Sequence, residues 1–280
     1  MRCLSFILAI LIPSFTMPDL RADEVDDALK KVRAALKAYD TANAVKAAEE
    51  AVRLAPKNAL AWYLSGEALG QARRHDEAIK AFEKAHELDN KLMAAINQRG
   101  GEKFKKADIK GSLEDFEAYI KVNPAAYADH WRYGISLYYA GRFEEGAKQF
   151  KAGEKAFGSD AENAFFHYIC NARKEGYEKA RKNILKIGTD TRVPMMKIYE
   201  MIQGKAKPDE VIETAEKAKL DKEDKNEALF YAHLYVGLNY EAEGNAKKCE
   251  EHLKIAVEKH KIGHYMWDVG NVHLQLMKLK

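Results

Sequence analysis

"HWRYGISLYYAGRFEEGAKQF", residues 130–150, sets Gly134 sixteen positions ahead of Phe150 in a run dense with aromatic side chains. The same pair recurs as Gly100 with Phe116 and as Gly66 with Phe82, each step being 34 residues. In that phase Ala78 precedes Phe82 by four positions, Ala85 follows it by three, and Trp62 precedes Gly66 by four. One step earlier Ala44 and Ala51 fill the two alanine slots, and Pro56 takes the position that Pro124 takes two steps later. Two residue types that share one period and one phase mark a structural repeat, and a repeat decides the fold before any other feature.

The slots have a steric meaning. Each unit reads as two antiparallel helices in which Gly66, Ala78 and Ala85 let the backbones approach while Trp62 and Phe82 fill the space between them. One pair cannot bury both of its faces, so successive pairs must stack. The Trp, Gly, Ala, Phe, Ala and Pro pattern resembles the tetratricopeptide repeat (TPR), which implies an all-α solenoid of antiparallel helix pairs wound as a right-handed superhelix.

The units expected on this reading are 25–58, 59–92, 93–126 and 127–160, so that residues 23–160 hold four repeats. After Asp160 the register degrades. "AENAFFHYICNARKEGYEKARKNILKIG" predicts a divergent helix pair with Tyr168 in the glycine slot and a second helix that stops early, at Gly188. Pro194 and Pro208 mark the starts of two short helices, since proline is tolerated in a first helical turn; residues 161–222 are thus divergent pairs. Residues 223–280 return to the pattern, with Gly237, Cys249, Leu253 and Ala256 in the Gly, small, Phe and small slots. The last stretch, "GHYMWDVGNVHLQLMK", predicts a helix capping the open end, as solenoids require. The whole chain then holds about seven helix pairs and a C-terminal capping helix.

With 47% hydrophobic and 32% charged residues in 280, the composition is that of a soluble chain with ample core. Its 46 basic residues nearly balance 43 acidic ones, and no basic run is interleaved with aromatics, which argues against nucleic acid as a partner. The opening "MRCLSFILAILIPSFTMPDLRADE" is different material: Arg2, an apolar run from Cys3 to Ile12, then Leu20-Arg21-Ala22. It reads as a secretory signal peptide, residues 1–22, cut after Ala22. The apolar run is too short for a mature transmembrane span. Export to the periplasm or the exterior is expected, and Cys3, lying before the apolar run instead of after it, leaves no lipobox for an acylated anchor.

The order of regular units, "HWRYGISLYYAGR", a divergent "AENAFFHYIC" pair, a short "MMKIYEMIQG" insert and a final "LFYAHLYVGLNYEAEGNA" unit resembles the NlpI-type bacterial envelope TPR adaptors over roughly residues 59–260. The resemblance implies a non-enzymatic scaffold of the cell envelope that forms a homodimer and holds protein or peptide partners, envelope proteases and peptidoglycan hydrolases among them.

Motifs for chemistry are missing. There is no G-x-S-x-G, no H-E-x-x-H, no P-loop and no C-x-x-C, and "HELDN" at 86–90 lacks the second histidine of a zinc protease, so neither catalysis nor a cofactor is expected. Cys249, His252, His260 and His264 have a spacing superficially like a zinc site. Cys249 occupies a small buried slot and the two last histidines straddle a helix end, so a core thiol and surface histidines are expected and no metal. A metal-binding protein using this cluster, or a self-assembling structural repeat protein, is the competing reading. Cys170 and Cys249 could pair in an exported chain, yet they fall on different units, and buried free thiols are favoured over a disulfide.

In stacked TPR units the first helix of each pair lines the concave groove. The groove positions in this phase are Tyr63 and Glu67, then Asn97 and Phe104, then Trp131, Ile135, Tyr138 and Tyr139, then Phe165, with Arg99 and Arg132 placed to add charged contacts. Trp131, Tyr138 and Tyr139 exceed what the repeat core needs and suit a partner-binding surface. The alternative is that the divergent C-terminal helices fold over the groove and bury these aromatics. Glu67 argues against a clamp for a C-terminal carboxylate.

Overall fold

The computed structural model describes residues 22–278, and among these every regular element is helical. Eight helices form four antiparallel pairs: α1 (Ala22–Lys37) with α2 (Thr41–Leu54), α3 (Ala59–Gln71) with α4 (His75–Leu88), α5 (Met93–Lys105) with α6 (Ile109–Val122), and α7 (Trp131–Tyr139) with α8 (Phe143–Ala152). There follow α9 (Ala161–Glu175), the single turn α10 (Tyr177–Ala180), α11 (Met195–Ile202), α12 (Pro208–Lys217), α13 (Lys222–Ala242), α14 (Ala246–Lys254) and α15 (Tyr265–Met277). The signal peptide expected over residues 1–22 lies, all but Ala22, outside the described residues. No described helix is long and apolar enough to cross a membrane.

The period of the sequence is a period of contacts. A Cβ built on Gly66 would stand 2.6 Å from the Phe82 ring, one on Gly100 2.9 Å from Phe116, and one on Gly134 2.7 Å from Phe150. No side chain fits there, which is why glycine and phenylalanine recur together. The divergent pair inverts the arrangement. Tyr168 takes the glycine slot and is fully buried, and sixteen residues on, Ile184 replaces the ring of the Phe slot.

A second period lies in the turns inside each pair. Tyr39, Arg73, Ala107 and Gly141, each 34 residues after the last, have φ of 55°, 58°, 61° and 75°, and Gly244 in the last repeat has 80°. Left-handed backbone suits glycine and costs roughly 1–2 kcal/mol for a residue with a Cβ. Three of the five turns therefore carry side chains at a conformational disadvantage.

Packing divides the chain unevenly. Three small apolar clusters serve the first pairs: one centred on Val32, Ala48 and Leu64, one on Ala81 and Phe82, and one on Leu113, Phe116 and Leu137. A single large cluster then runs from Phe104 through the rings of α9 and α13 to Leu274 in α15.

Two details differ from the sequence expectation. The second helix of the divergent pair does not reach Gly188: α10 makes one turn, residues 181–183 a 3-10 turn, and the chain continues without regular structure. There Leu185 is buried, Ile184 and Ile187 pack against the large cluster, the Tyr199 hydroxyl donates to the Leu185 carbonyl at 3.0 Å, and the Gly188 amide donates to the Gly158 carbonyl at 2.7 Å. The capping helix also does more than close the last pair. A π-helical turn (Ile255–Lys259) extends α14, and after it α15 packs on α14 with one side and reaches back to α5 with the other.

Candidate functional site

The first helices α3, α5 and α7 present successive residues of three repeat slots to one groove. Along the chain these are Tyr63, Asn97 and Trp131; Glu67, Gly101 and Ile135; Gly70, Phe104 and Tyr138. In the second and third slots the series runs from Glu67 and Gly70 at α3 to the bulkier, less polar Ile135 and Tyr138 at α7. That gradient decides what fills each part of the groove.

The aromatic part is filled by the chain itself. Tyr265 of α15 stacks on Phe104, with centroids 5.5 Å apart and planes at 22°, and meets the Trp131 ring edge-on at 5.2 Å. Gly101 makes room: a Cβ there would lie 3.0 Å from the Arg132 guanidinium and 3.8 Å from the Tyr265 ring. The Tyr139 hydroxyl bonds His273 of α15 at 3.1 Å, and Tyr138 donates to Glu241 of α13, which Arg173 also holds. Phe165 packs 4.5 Å from Tyr235 of α13. Thus Phe104, Ile135, Tyr138 and Phe165 lie in the core, and Trp131 and Tyr139 are half-buried against it. Of the two arrangements open to the sequence, the folded chain adopts the one in which C-terminal helices cover these aromatics.

Where α15 begins, the groove opens into a cavity of about 600 Å³ between α3, α5, the α1–α2 turn and residues 261–263. Two ion pairs close its far wall. Arg73, presented by the left-handed turn after α3, pairs with the buried Asp268 and lies 4.3 Å over the Trp267 ring. Glu102, buried at Gly70, takes Lys105 at 2.7 Å and His75 at 2.6 Å. Burial pushes the Asp268 carboxyl up in spite of Arg73, whereas for Glu102 the hydrogen bonds from His75 and Lys105 outweigh burial and hold it below the usual range.

The floor is polar. Glu67 accepts from the Tyr63 hydroxyl at 3.0 Å, and burial pushes its carboxyl up. The Tyr63 phenol is itself pushed up to about 12, first by burial and then by Glu67. Gln98 accepts from Arg132 at 3.0 Å; beyond the cavity, in a separate depression that Arg132 also lines, Asn97 binds the His130 ring at 2.8 Å. Arg99, expected at the groove, is instead turned to α6, where it forms a two-pronged pair with Asp115 at 2.8 and 2.6 Å. Arg73, Gln98, Glu102 and Asp268 were not among the residues expected here. Arg73 had a signal, for it stands seven residues after Gly66 as Gly141 stands after Gly134; its partner Asp268 is too distant in the chain to have one.

The C-terminal cysteine and histidines do not converge. Cys249 is buried with its thiol 3.7 Å from His273, His252 and His260 lie beside His233, and His264 caps α15. Among the described residues no group of three His, Cys, Asp or Glu is placed to hold a metal. Cys170 and Cys249 are both free thiols.

Residues 20–91 match the family model described as tetratricopeptide repeat. The chain carries tetratricopeptide repeats over that stretch. Its TPR architecture is similar to that of a tetratricopeptide repeat protein from Parabacteroides merdae, with a TM-score of 0.57 and 14% identity over 91% of this chain and 99% of the other. PilF of Pseudomonas aeruginosa aligns with a TM-score of 0.50 and 13% identity, covering 92% of this chain and 99% of that one. A MamA fragment from Desulfovibrio magneticus gives 0.53 and 18% over 57% of this chain and 90% of its own. At such identities the likeness concerns the fold alone. No curated protein sequence matches the chain.

Proposed function

We propose that this TPR chain is a non-enzymatic scaffold of the bacterial cell envelope that docks a segment of a partner protein in the open part of its groove. The observation that supports it is the contrast within one groove: α15 occupies the aromatic end, and the cavity beside it is lined by the polar groups of Gln98 and of Glu67, which holds the Tyr63 hydroxyl. Polar side chains at successive repeats suit the amides of an extended peptide, and a preformed solenoid limits the entropy lost on docking. Covered aromatics move the docking surface from Trp131, Tyr138 and Tyr139 toward α3 and α5. Non-enzymatic character is supported by the thiol nearest a histidine: burial pushes Cys249 up to about 12, so it is not a thiolate near neutral pH.

The resemblance to envelope adaptors supplies the partner classes, proteases and peptidoglycan hydrolases. Crosslinked affinity purification from intact cells tests this, run beside a folded Tyr63→Phe, Gln98→Ala double variant. Capture of envelope proteins by the parent and their loss from the variant is the expected result. Partners that persist in the variant would place docking on another surface, and recovery of the chain alone would favour self-assembly.

A further inference from the structure

Glu67 is an exception among the carboxylates of this molecule. Among the described residues, every other buried or half-buried Asp or Glu has a Lys, Arg or His nitrogen within 4.0 Å: on the groove walls Glu102 has Lys105, Asp115 has Arg99 and Asp268 has Arg73, and farther on Asp190 has Arg192 and Glu241 has Arg173. The same holds for the half-buried glutamates of the outer faces, such as Glu175, Glu200 and Glu250. Glu67 has only the Tyr63 hydroxyl. The charge of Arg33 acts on it from beyond ion-pair distance. Removing a carboxylate from water without a cation is unfavourable, and elsewhere among the described residues the chain does not do it.

Tyr39 is the second exception, on the opposite lip of the same cavity. It is a large residue in the left-handed turn slot that two other repeats fill with glycine, it is 82% exposed, and its side chain makes no hydrogen bond or ring contact among the described residues. Backbone strain held for an unused side chain points to a contact outside the chain. Arg73, in the same slot one repeat on, shows what that position does when filled: it reaches over the groove and holds α15 through Asp268 and Trp267. Tyr39 stands to the cavity as Arg73 stands to α15.

We propose that the cavity receives one basic side chain, a lysine or arginine, from the partner polypeptide, with its cation on Glu67 and its stem or guanidinium plane against the Tyr39 ring. This rests on the docking reading above and specifies its chemistry. The chain already uses the same pairing internally, with Arg73 and Lys261 against Trp267 and Lys105 against Tyr265. An acidic or purely apolar side chain would leave the carboxylate uncompensated.

The test is an NMR titration of the purified chain with acetylated pentapeptides Gly-Gly-X-Gly-Gly, X being Lys, Arg, Gln or Glu, following the amides of Gly66 and Gly70. Saturable shifts with Lys or Arg and none with Gln or Glu are expected. Glu67→Gln, which keeps an acceptor for Tyr63, should weaken that binding roughly tenfold, the scale of one charge-assisted hydrogen bond. Tyr39→Gly should weaken it also without lowering the thermal midpoint, a combination that a structural role would not give. Equal shifts with Gln, no saturable shift at all, or unchanged binding in Glu67→Gln would overturn the proposal. Crosslinked capture with Glu67→Gln separates the two levels: partners retained there leave the scaffold standing and remove the cation site, whereas a parent chain that captures nothing removes the scaffold.

Discussion

The first three helix pairs and the region from α7 onward are built from the same period but are held together differently. In the first, Phe82 and Phe116 each serve a small cluster between neighbouring helices, so stability accrues pair by pair as in a linear array. In the second, one cluster joins all nine helices from α7 to α15, and Tyr235, Phe165 and Phe166 meet at its centre. Repetition in sequence thus does not ensure repetition in energetics. What changes the second region is divergence: a Tyr168 in the glycine slot, a one-turn α10 and an α15 that folds back across the groove.

The largest effect that can break this contrast comes from two equivalent truncations. Phe165→Ala and Phe82→Ala each remove a fully or almost fully buried ring, at a cost of about 3–5 kcal/mol. In hydrogen exchange, Phe165→Ala should lower protection throughout α7 to α15 together. Phe82→Ala should lower it in α1 to α4 and leave α9 and α13 near their original values. Uniform loss in both variants would make the chain a single cooperative unit and end the comparison.

The same contrast explains what could be read in the sequence. Gly66, Gly100 and Gly134 were legible because no other residue fits beside the ring sixteen positions on, a requirement strict enough to survive as a pattern. The left-handed turns were not, since Tyr39, Arg73 and Ala107 hide a slot that only Gly141 and Gly244 announce. The groove positions followed from the repeat phase; their occupant did not. Tyr265 over Phe104 and Asp268 on Arg73 join residues far apart in the chain, and nothing local in "GHYMWDVGNVHLQLMK" distinguishes a helix that caps an end from one that also crosses a groove.

Acid should sharpen the comparison with an effect of intermediate size per residue. Burial holds His130, His167 and His233 at about 4, and all three lie after residue 127. His130 shows the reason: its Nδ1 accepts the Tyr133 amide at the start of α7 while its Nε2 faces the Asn97 carbonyl oxygen, so a second proton would break the cap. The folded values lie below the unfolded one near 6.5, so the unfolded chain binds more protons between the two. Stability is whole above about pH 6.5 and declines toward pH 4, by up to roughly 2 kcal/mol at pH 5 for each of the three. Circular dichroism melts at pH 7 and pH 5, with hydrogen exchange at both, should show α7 to α15 loosening before α1 to α4. Loss beginning in α1 to α4 would count against the division.

The smallest effect is the most discriminating, because two substitutions of one kind should have opposite signs. Tyr39→Gly and Arg73→Gly both relieve a left-handed backbone at the same repeat slot, a gain of roughly 1 kcal/mol before the entropy that glycine costs. The Tyr39 side chain makes no hydrogen bond or ring contact among the described residues, so its replacement should raise the thermal midpoint by a degree or two. Arg73 neutralises the buried Asp268 and covers Trp267, so its replacement leaves a carboxylate uncompensated beneath α15 and should lower the midpoint in spite of the relief. Adding Asp268→Asn to Arg73→Gly should recover part of that loss, since an amide tolerates the site without a cation. If Arg73→Gly is neutral and Asp268→Asn changes nothing, α15 is held by Tyr265 and its apolar face alone, and the turn that faces it has no more say in the second region than Tyr39 has in the first.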